Sequence, residues 1–264
     1  MAPRLTFLLG KPPKPGTLLA EVRDSLAARG ASAPVLLPHQ EPLDLDSLTG
    51  EDLVVHRGLH ASVAPTLTAA HERGIPLCNP WSADALLRDR RSWHAALDRA
   101  GVTVPEAVTV DGWPEVLAHA GGEEAVVKAL AGPGRGASVM AGTGATLPAQ
   151  APFPGPYQVE ARLPAEDTDH KLYVAGEAVR GLRKPSTLTH AHVTTGTPFA
   201  PDTELTDLAL EVGRVLGAHL LGVDVVRTPT GPVVVDVNAF PGFRGVADAP
   251  ALVTAHLLDH ARHG

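Results

Sequence analysis

The stretch 222–245, GVDVVRTPTGPVVVDVNAFPGFRG, constrains the fold of this 264-residue chain more than any other. Two β-like runs, 221–227 and 232–237, flank a Thr-Pro-Thr-Gly bend. Alternating branched apolar residues on either side of a Gly turn spell a β-hairpin. Asp224 lies in the first run and Asp236 in the second, with Asn238 two residues further on. Residues two apart on a strand leave on the same face. A register that brings Asp224 alongside therefore gathers three oxygen-bearing side chains at one point. Hard oxygen donors, few in number and with no Cys or His among them, suit Mg²⁺ held together with substrate phosphates. Read alone, the same residues serve equally well as turn-formers closing a strand.

Composition narrows the class. Aromatic residues make up only 4% of the chain, so the core rests on Ala, Val and Leu, and 264 residues suffice for one or two domains. The 26 Gly and 25 Pro punctuate the chain instead of forming a low-complexity block. With 22 basic and 29 acidic residues the net charge is −7, and no Lys/Arg run is interleaved with aromatics, which argues against a nucleic-acid partner. The lone Cys78 excludes an intramolecular disulfide, and no Cys/His spacing suits zinc. The apolar run 5–9 is too short for a signal peptide or a membrane span. The expectation is a soluble cytoplasmic protein without a membrane partner. Its oligomeric state is not readable, and a homodimer is compatible with the composition.

Along the chain, short apolar runs at 5–9, 35–37, 53–55 and 75–78 alternate with helical patterns at 17–29 and 65–73, each helix stopped by Gly. That alternation predicts a small parallel α/β unit over 1–80. Residues 89–100 and 112–120 read as helices, and 125–129, 157–163, 170–175 and 178–182 as strands. A helix over 204–217 precedes the opening hairpin, and one over 250–263 closes the chain. The Gly/Ala/Pro-rich segment 141–156 has the composition of a mobile lid.

Three further constellations carry chemistry. Lys128 ends a predicted strand directly before a loop containing Gly132, Gly134 and Gly136. Glycines let backbone N–H groups approach anionic oxygens while a Lys supplies a point charge, so the pair suits phosphate; a solvated surface loop has the same composition. The extended run 157–163, with Glu160, Ala161 and Leu163, offers backbone groups to a base. The acidic residues after it, among them Asp167 and Asp169, can hold ribose hydroxyls, although an ordinary edge strand looks the same. A second hairpin turning at Gly176 sets Lys171, Arg183 and Lys184 at its far end, facing either an anionic substrate or solvent. His190 and His192 lie in a polar, Thr-rich loop and suit a surface segment better than a metal.

Taken in order, these motifs resemble the ATP-grasp superfamily over about residues 82–247, in the manner of glutathione-synthetase-like and ribosomal-protein-glutamylating ligases. Arg88-Asp-Arg90 with Gly101-Val-Thr-Val-Pro105 is similar to one family segment, and Val126-Val-Lys128 with the glycine loop to its phosphate-binding part. Glu160, Asp169 and Lys171 resemble the hinge strand and the strand beyond it, and Asp224, Asp236, Asn238 and Pro241-Gly242 the metal and substrate-loop motif. The resemblance implies an ATP-grasp fold, α/β and α+β, over 81–264 with subdomains about 81–155 and 156–264, behind a Rossmann-like pre-ATP-grasp domain at 1–80. It also implies an ATP-dependent carboxylate–amine ligase that forms a C–N bond through an acylphosphate, acting on an amino acid, peptide or natural product.

In that reading Arg90, Lys128 and the loop glycines Gly132, Gly134 and Gly136 hold the phosphates. Glu160, Ala161, Leu163, Asp167 and Asp169 surround the adenosine. Asp224, Asp236 and Asn238 bind one or two Mg²⁺ ions, with Mn²⁺ as an alternative. Lys171 and Arg183 hold the carboxylate and the acylphosphate, and Arg244 in the substrate loop is the further catalytic candidate, a phosphate clamp if the substrate is an inositol phosphate. Departures from the family pattern are Arg90 and Lys171, which exchange Lys and Arg, Asp236 in place of Glu, and Arg244 in place of an acid. Residues 236–243 and 170–177 with Lys184-Pro-Ser186 are also similar to the inositol trisphosphate kinase branch, which implies an alternative: phosphoryl transfer to an inositol-phosphate-like hydroxyl. A non-catalytic ATP-binding relative is the third reading.

Overall fold

The computed structural model describes residues 3–130, 138–186, 188–190 and 196–263. The expected Gly132, Gly134 and Gly136 and the loop residue His192 lie outside them.

The first unit is parallel α/β, as the alternation predicts. It runs β1 (Leu5–Leu9), α1 (Leu18–Ala27), β2 (Val35–Leu36), β3 (Leu53–Arg57), α2 (Ala64–Glu72) and β4 (Leu77–Cys78), with strand order β2-β1-β3-β4. Parallel strands covered on both faces read as unbroken apolar runs, and all five residues of β1 are buried.

Two helices then lead into a smaller sheet. Asp89 ends α3 (Trp81–Arg88) and caps α4 (Arg90–Arg99), its carboxylate accepting from the Arg91 N–H at 3.2 Å. After β5 (Ala107–Val110), α5 (Trp113–Ala120) opens with Glu115 accepting the N–H groups of Asp111 and Gly112. The sheet is completed by β6 (Ala125–Ala129), β7 (Val139–Gly142) and β8 (Tyr157–Ala161), in antiparallel order β5-β8-β6-β7. Strand β8, which the expected subdivision groups with the later residues, belongs to the small sheet, and the change of sheet falls after Ala161. The segment 141–156 is packed and not a loose lid. Leu147 is buried beside Trp113, whose indole N–H donates to Pro148 O at 2.7 Å, and the Tyr157 hydroxyl donates to Phe153 O at 2.7 Å.

The third sheet is antiparallel in the order β11-β10-β9-β12-β13. Its parts are β9 (Thr168–Ala175), β10 (Ala178–Pro185), β11 (Thr197–Phe199), β12 (Leu220–Thr228) and β13 (Gly231–Ala239). Helix α6 (Thr203–Leu216) covers one face, begun by Asp202 accepting from the Leu205 N–H and ended by Gly217 at φ +65°. Helix α7 (Ala249–His263) packs against α1 and joins the first unit to this sheet. The same core takes in Phe240 and Phe243, both buried and both in the left-handed region at φ 34° and 47°. Non-glycine residues hold that conformation only when surrounding packing over-determines it, so the loop after β13 is fixed by its two rings.

Asn79 is a second tie between the units. Its buried amide accepts from the N–H groups of His219 and Leu220 and donates to Leu220 O at 2.9 Å. None of the described helices is long and apolar enough to cross a membrane.

Candidate functional site

A cavity of about 470 Å³ opens between the small sheet and the third sheet. From the small sheet come Lys128 on β6 and Glu160, Ala161 and Leu163 at the end of β8. From the third sheet come Asp169 and Lys171 on β9, Lys184 on β10, Asp224 on β12, and Asp236 and Asn238 on β13. Arg90, the first residue of α4, and Asp167 complete the wall.

The oxygen triad follows from the ladder. Asp224 pairs directly with Asp236, and Gly222 with Asn238, so all three side chains share one face. The register then slips, with Val225 opposite Val234, which leaves Val235 as an extra residue on β13. A bulge of this kind leaves backbone groups without ladder partners. The Val235 carbonyl instead accepts from Lys128 Nζ at 2.9 Å, which fastens β6 to β13.

Several charges in this wall are paired with one another. Lys128 is buried and also donates to both oxygens of Glu160, at 2.8 and 2.6 Å. Gln158 donates to the same carboxylate at 2.8 Å. Glu160 therefore turns inward as the counterion of Lys128, whereas the expectation set it beside the adenine. Arg90 Nη2 meets Asp236 at 3.0 Å, and its guanidinium lies 5.5 Å from the Trp93 ring. Asn238 Nδ2 donates to the other Asp236 oxygen at 3.3 Å. Lys171 forms an ion pair with Asp224. Asp224 is half-buried at the cavity wall, and burial raises its carboxyl while the Lys171 ammonium pulls it back. Burial works to lower Lys171 as well, but the Asp224 charge and hydrogen bond outweigh it and hold the ammonium above its ordinary value. Burial and then the nearby Lys171 charge lower Lys184.

Two expected residues stand elsewhere. Arg183 is exposed and packs its guanidinium 4.5 Å from the Phe199 ring, outside the cavity. Its ladder partner is His170, while Leu182 pairs with Lys171 and Lys184 with Asp169. Strand alternation therefore turns Arg183 to the opposite face from Lys171 and Lys184. Arg244 lines a second cavity of about 1120 Å³, between the loop after β1 and the loop after β13. Across it stands Arg57, at the end of β3, which the motif reading missed because nothing around it in sequence marks it. Tyr173 has neighbours from both cavities. It follows Lys171 on the same face of β9, stacks on Phe243 at 5.1 Å, and feels the charges of Lys171, Asp224 and Arg244. Gly222 permits this arrangement: a Cβ there would come within 3.2 Å of Pro241 and 3.7 Å of Tyr173.

At the rim, Asp167 accepts from Thr189 and from His190 Nε2, the latter at 2.8 Å. His190 is thus a hydrogen-bond partner of the rim carboxylate. Among the described residues no group of three His, Cys, Asp or Glu side chains is arranged to hold a metal ion. Two carboxylates and one amide are too few for an all-protein cage, yet they fit Mg²⁺, which keeps several ligands from water and phosphate. Arg90 Nη1 is buried without a hydrogen-bond partner among the described residues, a cationic N–H that a phosphate oxygen would satisfy. The residues present thus fit a nucleotide with its magnesium.

Known proteins resemble this chain in sequence and in fold. Residues 191–259 match the family model of the inositol 1,3,4-trisphosphate 5/6-kinase ATP-grasp domain. A probable alpha-L-glutamate ligase from Azotobacter vinelandii is 28% identical, over 82% of this chain and 79% of that protein. Among solved structures, a RimK domain ATP-grasp protein from Sphaerobacter thermophilus superposes with a TM-score of 0.76 at 24% identity, covering 98% of this chain and 99% of that one. The ATP-grasp ligase PsnB, solved with a minimal precursor, Mg and ADP, gives a TM-score of 0.72 at 18% identity over 97% of each chain. The chain shares the fold of these ATP-grasp structures, and the family model, the glutamate ligase relatives and the solved neighbours together support an ATP-grasp superfamily member.

Proposed function

We propose that the protein is an ATP- and Mg²⁺-dependent carboxylate–amine ligase working through an acylphosphate. One observation carries the reading: cationic Arg90 and Lys128 and the oxygen set Asp224, Asp236 and Asn238 line one cavity. Similarity to glutamate ligases and to a ligase solved with a precursor, Mg and ADP favours a carboxylate-bearing amino acid or peptide as substrate.

In this reading a carboxylate oxygen attacks the γ-phosphorus of ATP, and ADP departs with the bridging electron pair. An amine then attacks the acylphosphate carbon, phosphate leaves, and one amine proton passes to solvent or a base. The chain supplies position and charge more than covalent chemistry. Asp224, Asp236 and Asn238 would hold Mg²⁺, which supplies positive charge to the phosphate oxygens. Arg90 neutralises the same oxygens through its unpartnered Nη1, Lys128 joins it by exchanging a hydrogen bond now made to Glu160 or Val235, and Lys171 and Lys184 receive the acceptor carboxylate. The match to a kinase family model supports a second reading, phosphoryl transfer to a polyol phosphate.

ADP release over amino acids, short peptides and inositol phosphates separates the two. The ligase turns over only with carboxylate and amine together, and hydroxylamine converts its acylphosphate into a hydroxamate. Turnover with an inositol phosphate alone would establish the kinase instead.

A further inference from the structure

The second cavity carries an unbalanced charge that the nucleotide site does not need. Lys11, Lys14, Arg57 and Arg244 line it against a single carboxylate, Glu21. Among the described residues, neither Arg57 nor Arg244 takes part in an ion pair. The two guanidinium groups nevertheless stand close together. A Cβ added to Gly242 would come within 3.4 Å of Arg57 Nη2 and 4.0 Å of Arg244 Nε, so Gly242 leaves open the space that both flank. Arg57 is held in place by its Nε, which donates to Phe240 O at 2.8 Å, and by the Phe240 ring 5.4 Å away. Burial and then the Arg244 charge lower its guanidinium from the usual value. Two cations brought together without a counterion repel each other, and an anion between them turns that repulsion into attraction.

The rest of the wall is built to the same end. Gly10 packs so tightly on Gly58 that a Cβ would fall 1.9 Å from its carbonyl oxygen. That contact brings the loop bearing Lys11 and Lys14 against the end of β3. Leu9, Leu18 and Phe243 supply apolar surface in the same cavity. Apolar lining beside a pair of arginines suits an aliphatic stem ending in one carboxylate better than a ring crowded with phosphates.

On the ligase reading above, we infer that Arg57 and Arg244 clamp a second, non-reacting carboxylate of the acceptor, so that the substrate carries two carboxylates. One is presented to Lys171 and the nucleotide, and the other is fixed across Tyr173. Specificity then resides in a contact between the first unit and the loop after β13. A bidentate arginine clamp on a carboxylate is directional, and an isosteric amide cannot satisfy it.

Calorimetric binding to the full chain, without turnover, tests this. The probes are L-glutamate, glutarate and alanyl-glutamate, each against its amide counterpart, with inositol 1,3,4-trisphosphate as the phosphate arm. A charged hydrogen bond contributes about 1.5–3 kcal/mol, so at least one acid binds about 10- to 100-fold more tightly than its amide. Arg244→Gln removes that preference and leaves ATP affinity unchanged. Arg57→Lys, which keeps the charge should Arg57→Gln fail to fold, weakens the preference through lost geometry. A parent protein that prefers none of the acids over its amide overturns the clamp, as does undiminished preference in Arg244→Gln. Tighter binding of the trisphosphate, lost in Arg244→Gln, overturns the carboxylate assignment. Absence of ADP release with every acid and amine pair, alongside an intact binding preference, counts against the ligase reading and not against the clamp.

Discussion

Lys128 donates to the carbonyl of Val235, the residue that β13 carries in excess of its partner strand. The bulge beside the oxygen triad is thus tied to the cavity lysine of the facing sheet. Lys128 and Glu160 are both almost fully buried, and removing one partner leaves the other charge uncompensated. Lys128→Met is expected to lower stability by about 3–5 kcal/mol, seen in urea unfolding, and Lys128→Met with Glu160→Leu to recover most of it. Both variants lose ATP binding. A double variant with parental ATP affinity would reduce Lys128 to a structural tie.

Asp236 touches Arg90 and Asn238 and stands opposite Asp224. Asp236→Asn keeps the shape and removes one charge from the proposed magnesium set. Loss of several kcal/mol of charge stabilisation corresponds to a fall of about 100-fold or more in ADP release, partly recovered at high Mg²⁺. Chelating the metal abolishes release in the parent. Parental turnover in Asp236→Ala would show that the oxygen triad is turn chemistry after all.

Arg183 and Lys184 differ by one residue and face opposite sides of β10. Arg183→Ala, which loses an exposed contact with Phe199, is expected to cost about 0.5–1 kcal/mol of stability and to leave KM and kcat within about twofold. Lys184→Ala raises the acceptor KM about 10-fold or more, because a charged contact in the cavity is lost. The opposite ranking would mean that β10 pairs one residue out of register.

How far the sequence could be read depends on the range of each contact. The triad was legible because both strands and their turn lie within one hairpin, where alternation fixes the faces. The face of Lys184 was legible too: the two-residue turn at Gly176 pairs Ala175 with Ala178, and counting back pairs Lys171 with Leu182. Arg183 was misassigned because charge was weighed without that count. The Lys128–Glu160 pair depends on β6 lying beside β8, two strands with another between them in sequence, and local pattern does not encode that adjacency. Strands β7 and β11 are short, and their sequences, Val-Met-Ala-Gly and Thr-Pro-Phe, carry little intrinsic preference, so tertiary pairing makes them strands. Arg57 meets Arg244 only through the packing of the first unit on the loop after β13.

Cys78 is free and wholly buried, and burial pushes its thiol up to about 12. The thiolate is the reactive form. Native protein is therefore expected to resist a disulfide reagent at pH 8, with labelling at the rate of opening and complete reaction in denaturant. Rapid stoichiometric labelling of the folded chain would place Cys78 at an accessible surface.

His256 on α7 makes stability depend on pH on the acid side. Burial first, then the neighbouring His219 and His260, lower it from 6.5 to about 4, with Asp259 opposing. The rings of His219 and His260 each lie 5.8 Å from it, and burial and His219 lower His260 as well. His256 Nε2 is buried without a partner among the described residues, so a proton placed there gains nothing to bond. Because the folded value is depressed, the unfolded chain binds more protons between the two values, and stability rises with pH through that window. The contribution is complete above about pH 6.5, falls as pH is lowered, amounts to a loss of about 2 kcal/mol by pH 5, and levels off near the folded value. His256→Gln, which cannot take up that proton, is expected to flatten the profile between pH 4 and 6.5 in urea unfolding, leaving only the smaller share of His260. An unchanged slope in that variant would assign the acid sensitivity to another group.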